Sequence, residues 1–329
     1  MESFMQNQHV LLTGAAGFIG FHVANDLLDR GVTVTGVDNL DAYYPVALKR
    51  DRLAQLSRRN GFRFVELDIA DHEALKVAAP SETTTVIHLA AQAGVRYSLD
   101  NPFAYAQSNL VGHLSVLELV RHHPNRPRLA YASSSSVYGD TAVAPYAESA
   151  RVDHPVSLYA ATKRSGELMS ETYAKLYGLE QVGLRFFTVY GPWGRPDMAY
   201  WTFTRDIIEG RPIKVFNNGD LERDFTWIGD IVSGVVAAAM TAPSSPQPLH
   251  RIYNIGNNRP VRLGRFIEII EAAVGKRAER IMLPMQPGDV HATCANIDAL
   301  ARDHGYAPTT TLEEGIPRFV AWYRGWTGT

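Results

Sequence analysis

Short runs of apolar residues alternate along this chain with longer stretches in which apolar positions recur every three or four residues. His9–Thr13, Val32–Asp38, Phe62–Leu67, Thr85–Gln92, Leu129–Ala132 and Val182–Phe187 are short and apolar enough to predict strands buried in a parallel sheet. Between the first two, Val23, Leu27 and Leu28 keep helical spacing until Gly31 supplies a stop. The basic stretch from Val46 to Arg58 reads as an amphipathic helix with a solvated face. Asn101-Pro102 opens a further helix, in which Asn109 is a polar residue among apolar neighbours. Strands alternating with helices predict an α/β fold built on a doubly wound parallel sheet. The regularity ends at Tyr190–Met198, rich in glycine and proline. A smaller C-terminal α/β domain is expected from there, dividing 1–190 from 191–329.

Three stretches carry candidate chemistry. Gly14-Ala15-Ala16-Gly17-Phe18-Ile19-Gly20 lies between the first strand and the first helix, where amide hydrogens and the helix dipole hold a pyrophosphate. The second strand ends on Asp38, 18 positions after Gly20, close to the spacing at which an acid bonds the ribose hydroxyls of a dinucleotide. A carboxylate there repels a 2′-phosphate, which favours NAD over NADP. The fifth strand runs into Ser133-Ser134-Ser135-Ser136, and Tyr159 and Lys163 follow four apart on one helical face. An ammonium beside a phenol favours the phenolate, which can take the proton of an alcohol.

Together these features resemble the extended short-chain dehydrogenase/reductase family, in particular its nucleotide-sugar epimerases. The resemblance covers nearly the whole chain and implies a Rossmann sheet. Arg223–Asp230 and Tyr253–Gly256 resemble segments that return to the first domain, so the two domains interleave near 224–260. It implies NAD contacts from Gly14, Gly17, Phe18, Ile19, Gly20, Asp38, Asn39, Asp68, Ile69, Leu89, Ala90, Ala91, Gln92 and Asn109, joined by Tyr159 and Lys163. Ser134 is the implied catalytic serine, with slippage to Ser135 or Ser136 open, alongside Tyr159 and Lys163. Dehydratases and decarboxylases of the family place acids beside the catalytic hydroxyl; here those positions are Ser135 and Ser136, which points to epimerisation.

Thr188, the Arg195-Pro196-Asp197-Met198 run, and the segment Ala91–Ser98 with Arg96 resemble UDP-glucuronate 4-epimerases rather than UDP-glucose enzymes. Arg195 with Thr188 suits a sugar carboxylate; the alternative is that Arg195 only pairs with Asp197. Arg223 and Asp289 match positions that hold the diphosphate and nucleotide ribose of a UDP-sugar, and Arg223 paired to Asp224 is the rival reading. The alternatives are a UDP-glucose or UDP-N-acetylhexosamine 4-epimerase, and a noncatalytic NAD-sensing protein.

Composition adds exclusions. The 329 residues are 46% hydrophobic and 20% charged with a net charge of −2, so no basic excess argues for nucleic acid. The single cysteine, Cys294, offers no intrachain disulfide and reads as a packing residue. The first residues lack a secretory pattern and no apolar run reaches membrane-spanning length, so cytoplasm is the expected compartment. Relatives commonly form a homodimer through the Tyr159 helix and the helix after Pro102, where Leu114, Leu117 and Val120 serve either that seam or the core.

Overall fold

The computed structural model describes residues 8–140, 142–244, 248–285 and 290–329. Strand β1 (His9–Thr13) leads through the glycine turn into α1 (Phe18–Asp29), followed by β2 (Thr33–Asp38), α2 (Val46–Leu56), β3 (Phe62–Glu66), α3 (His72–Ala78) and β4 (Thr85–His88). After a helical turn at Tyr97–Asp100, the segment Pro102–Tyr105 passes through a π-helical stretch, Ala106–Val111, into α4 (Gly112–His122). Next come β5 (Arg128–Ser134), α5 (Leu158–Tyr177) and β6 (Gln181–Phe186). The remainder comprises β7 (Thr188–Tyr190), α6 (Ala199–Glu209), β8 (Ile213–Phe216), β9 (Glu222–Trp227), α7 (Ile228–Met240), β10 (His250–Ile255), β11 (Pro260–Arg262), α8 (Leu263–Val274), β12 (Arg280–Leu283), α9 (Asp298–His304) and α10 (Leu312–Thr327).

Seven strands form one sheet in the order β10-β6-β5-β4-β1-β2-β3, and every pairing in it is parallel. The order reverses between β1 and β4, which makes the carboxyl ends of those two strands the switch point where open α/β sheets bind ligands. The seventh strand, β10, comes from beyond the glycine- and proline-rich break and pairs with β6 from His250↔Gln181 to Ile255↔Phe186. Helix α7 joins the same core, with Ile228, Ile231 and Val235 buried in one cluster with Phe21 and Val23 of α1. A second core gathers Tyr200, Trp201, Phe203, Phe266, Ile270, Ile316 and Phe319 around two small sheets, β11-β9-β7 and β12-β8. Its aromatic rings meet largely edge to face, as at Tyr200–Phe319, 4.8 Å apart.

Packing qualifies one expectation and resolves one open choice. Helix α2 keeps a solvated face at Ala47, Arg50, Asp51, Ala54 and Gln55, but two of its basic residues leave it: Lys49 and Arg52 are buried beside Leu48, Leu53 and Leu56, Lys49 near Asp38 and Arg52 against carbonyl oxygens of two loops. In α4, Leu117 and Val120 belong to the core, while Leu114 is exposed. Among the described residues no helix is long and apolar enough to cross a membrane, and no cluster of His, Cys, Asp and Glu could hold a metal.

Candidate active site

A cleft of about 1400 Å³, open to solvent, runs over the carboxyl ends of the sheet. At one end stands the glycine turn. Gly14 has φ +76°, and a Cβ there would lie 2.7 Å from the amide nitrogen of Ala90 after β4. A Cβ on Gly20 would lie 2.0 Å from the Gly14 carbonyl oxygen. Backbone therefore closes on backbone, leaving the first turn of α1, which no side chain caps, to offer its N–H groups to the cleft. At the end of β2 the buried Asp38 accepts hydrogen bonds from the amides of Ala16 (3.1 Å) and Leu40 (2.9 Å). Burial raises its pKa against the pull of Lys49, whose ammonium stands 3.8 Å away. Beside Asp38, Asn39 donates to Asp68, 3.0 Å away. Cradle, helix terminus and acid together fit a dinucleotide.

The other end holds the acid–base groups. Helix α5 starts on a Ser157 cap, its hydroxyl accepting the Ala160 amide, and this sets Tyr159 and Lys163 over β5. Of the four serines, Ser133 and Ser134 line the cleft. The Ser133 hydroxyl is committed to the buried carboxylate of Glu167 at 2.6 Å, which Arg185 of β6 pairs at 2.8 Å. Ser134 is left beside the phenol. Burial pushes the Tyr159 pKa up; the Ser134 hydrogen bond and the charge of Arg195 pull the other way. The guanidinium of Arg195 is itself held by Asp197, through Nε at 3.0 Å and through Nη2, and Tyr43 also donates to Asp197.

Lys163 donates to the carbonyl of Ala132, 3.0 Å away, and burial drops its pKa to about 8. The charge acting on Tyr159 here is that of Arg195, not of Lys163. The lysine also makes stability depend on pH. Its folded-state pKa lies below the ordinary 10.5, so between about pH 8 and 10.5 the unfolded chain binds the extra proton and stability rises with pH. In NAD-free protein this window is expected to be worth about 3 kcal/mol at most. Urea unfolding of parent and Lys163→Met across pH 7–10.5 measures it; parallel curves would refute the assignment.

Comparison with known proteins agrees with this geometry. The NAD dependent epimerase/dehydratase family matches residues 10–256. The chain belongs to that family. Among curated relatives, a probable UDP-glucuronate 4-epimerase of Rhizobium meliloti is 47% identical over 328 residues, covering 95% of this chain and 96% of that protein. Among solved structures, the UDP-glucuronic acid 4-epimerase of Bacillus cereus, in complex with UDP-glucuronic acid and NAD, superposes with a TM-score of 0.89 at 33% identity. It covers 97% of this chain and 100% of the other. The UDP-glucose 4-epimerase of Thermotoga maritima, with UDP-glucose, gives 0.87 at 28% identity over 97% and 100%.

For this member of the epimerase/dehydratase family, the cleft gathers Gly14, Gly17, Phe18, Ile19, Gly20, Asp38, Asn39, Asp68, Ile69, Leu89, Ala90, Ala91 and Gln92 with Ser134, Tyr159, Lys163 and Arg195. Other expected residues lie elsewhere. Asn109 stands behind the wall: the π-helical stretch turns it inward, where its amide ties both backbone groups of Gln92 to Thr162 at 2.9–3.0 Å. Ser135 and Ser136 belong to the 3₁₀ turn Ser135–Tyr138 that Ser134 caps, which takes them off the cleft wall. Thr188, half-buried at the start of β7, is not among the lining residues, although its neighbours Phe187 and Val189 are. Arg96 is exposed, its guanidinium 5.2 Å from the Phe216 ring. Arg223 donates to the carbonyls of Glu222 and His291, while the buried Asp224 accepts the amides of Asn257, Asn258 and Ala295. Asp289 lies outside the described residues. Tyr43, Tyr44 and Lys49 also line the cleft, and only the tertiary structure brings them there.

Proposed function

We propose that this chain is a UDP-glucuronate 4-epimerase that interconverts UDP-glucuronate and UDP-galacturonate. The observation that carries the reading is the single cleft in which a dinucleotide cradle, the Ser134–Tyr159 pair and Arg195 meet. The acids lining that cleft, Asp38, Asp41 and Asp68, all belong to its adenosine end. With no carboxylate beside Tyr159 among the described lining residues, elimination lacks the extra acid it needs, and reduction on the other face is the simpler fate.

NAD supplies the acceptor of the C4 hydride and its return. Tyr159 takes the proton of the 4-hydroxyl and gives it back, while Ser134 bonds both sugar oxygen and phenol. Lys163 orients the ribose beside it, and Asn109 acts as a positioning residue for the Gln92 backbone. Arg195 takes the C6 carboxylate: Asp197 braces its Nε edge, while Nη1 has no hydrogen-bond partner among the described residues. Held in this way, the β-keto acid is kept from losing carbon dioxide. The Arg195–Asp197 pair also favours a second reading, a UDP-glucose 4-epimerase in which the arginine only braces its loop.

Residues 1–190 with the returning segments near 224–260 serve the cofactor in this reading, and the rest of 191–329 serves the nucleotide sugar. The cytoplasm, where both are made, is the proposed compartment. A homodimer through the segment after Pro102 and α5 fits the exposed Phe103, Leu114 and Leu168; a monomer by light scattering at working concentration would remove that proposal.

Purified protein incubated without added cofactor, with each sugar in turn and NMR of the products, tests the reaction. UDP-galacturonate from UDP-glucuronate alone is the expected result. Conversion of UDP-glucose alone would transfer the assignment to the second reading.

A further inference from the structure

Three consecutive carbonyls of the loop that leads to Arg195 are taken by side chains from the dinucleotide-binding half. His22 of α1 holds Pro192 O at 2.9 Å; burial pushes its pKa down to about 4, so the ring is a neutral donor throughout the working range. Arg52 of α2 is fully buried. It donates from Nε and Nη2 to Trp193 O at 3.1 and 2.6 Å, and from Nη2 to Gly194 O at 2.8 Å. Its Nη1 reaches Ala16 O, inside the glycine turn, and the Tyr44 hydroxyl, both at 2.8 Å. Every one of these acceptors is neutral. A buried guanidinium that hydrogen-bonds no carboxylate is retained only where its fork is matched by fixed acceptors, and here they come from three separate segments, with the charge of Asp38 acting from further off.

The gripped backbone is itself unusual. Trp193 has φ +58°, a left-handed conformation that a large side chain avoids unless its surroundings impose it. A Cβ on Gly194 would lie 1.9 Å from the Tyr200 hydroxyl oxygen, and the Arg195 amide donates to that same hydroxyl at 3.1 Å. Loop and side chain are thus held from both sides up to the residue that carries the sugar-side charge.

We propose that Arg52 is a positioning and specificity-determining residue: by tying the Trp193–Gly194 backbone to the glycine turn, it sets the angle at which Arg195 meets the sugar carboxylate. The inference rests on the UDP-glucuronate reading. It also makes the cofactor turn and the sugar loop share one side chain, so that the carboxylate is clamped where the hydride leaves. Lysine keeps the charge, but its three donors radiate from a single nitrogen and cannot span carbonyls that the guanidinium reaches from three.

The test uses the full-length holoprotein as parent, Arg52→Lys, Arg195→Ala and the double variant. Bound NAD, melting temperature and UDP affinity are read beside kcat, KM and the UDP-pentose fraction with UDP-glucuronate. Arg52→Lys is expected to keep NAD and UDP binding within about threefold, to lose about tenfold or more in kcat/KM, and to release pentose. That loss should vanish when Arg195 is already alanine, since residues acting through one another are not additive. Parental kcat/KM in Arg52→Lys, or losses that multiply in the double variant, overturn the inference while leaving the epimerase reading intact. A parent that makes no UDP-galacturonate ends both. Should Arg52→Lys not fold, Gly194→Ala displaces the same loop from the Tyr200 side; it must show the same pentose release with NAD retained, and unchanged products there overturn the proposal equally.

Discussion

The Tyr159→Phe protein will bind NAD and UDP-glucuronate as the parent does and turn the sugar over about a thousandfold more slowly, since a positioned general base commonly supplies factors of about 10² to 10⁴. The half-buried phenol ring packs edge to face on Tyr105, so phenylalanine keeps that contact and the melting temperature should scarcely move. The lost group is the oxygen that faces Ser134. The pH dependence follows from the same surroundings. The base is active only when ionised, so turnover falls as pH drops through its pKa. Burial raises that pKa, whereas Ser134 and the Arg195 charge lower it. Ser134→Ala should therefore shift the acidic limb of the kcat profile to higher pH. Full activity in Tyr159→Phe would sink the mechanism; an unmoved limb in Ser134→Ala would sink the account of how the phenolate is favoured.

Arg195→Ala is the second large effect. Loss of an arginine–carboxylate contact should lower kcat/KM for UDP-glucuronate by about a hundredfold, some 3 kcal/mol of transition-state binding, while UDP itself binds within about threefold. With the carboxylate unheld, part of the ketone should lose carbon dioxide and appear as a UDP-pentose. The acidic limb should also move upward, because the cation that opposes burial at Tyr159 is gone. Asp197→Asn serves as the control. Asp197 is pushed up by burial yet held below the usual carboxylate range by Arg195, so the variant removes the brace while leaving the guanidinium. If Arg195→Ala weakens UDP and UDP-glucuronate equally and no pentose forms, the arginine only braces its loop.

Much of the site was legible because it is local in the chain. The glycine turn, Asp38 and the Tyr159–Lys163 pair each lie within one strand–turn–helix unit or one helical turn, and short-range spacing predicts where such residues face. The serine run shows the limit. Four identical residues carry no internal signal; the resemblance points to Ser134 with Ser135 or Ser136 open, and it is the 3₁₀ turn Ser135–Tyr138 that takes the latter two off the cleft wall, while Glu167, 34 positions from Ser133, holds that hydroxyl. Arg96 and Arg223 resemble sugar or phosphate clamps; the structure adds neighbours that spacing does not report, the Phe216 ring for Arg96 and the His291 carbonyl for Arg223. Asn109 was visible as a polar residue in an apolar helix, and the resemblance implies that it steadies the active-site backbone, with a plain buried amide bond as the rival reading; the π-helical stretch that turns it toward Gln92 is what no periodicity reports.

By itself the sequence determined the parallel sheet, the cofactor turn and the acid–base pair, because backbone propensity, burial pattern and helical spacing act over a few residues. Tertiary structure alone decided what the basic residues do. The arginines of α2, of the Trp193 loop and of β6 look alike in the chain; packing gave Arg52 four neutral acceptors, Arg195 a carboxylate with one edge left over, and Arg185 a buried glutamate. A guanidinium's role is set by which oxygens surround it when water is removed. Those oxygens come here from segments 8 to 142 residues distant, except at Arg195, whose partner stands two residues on.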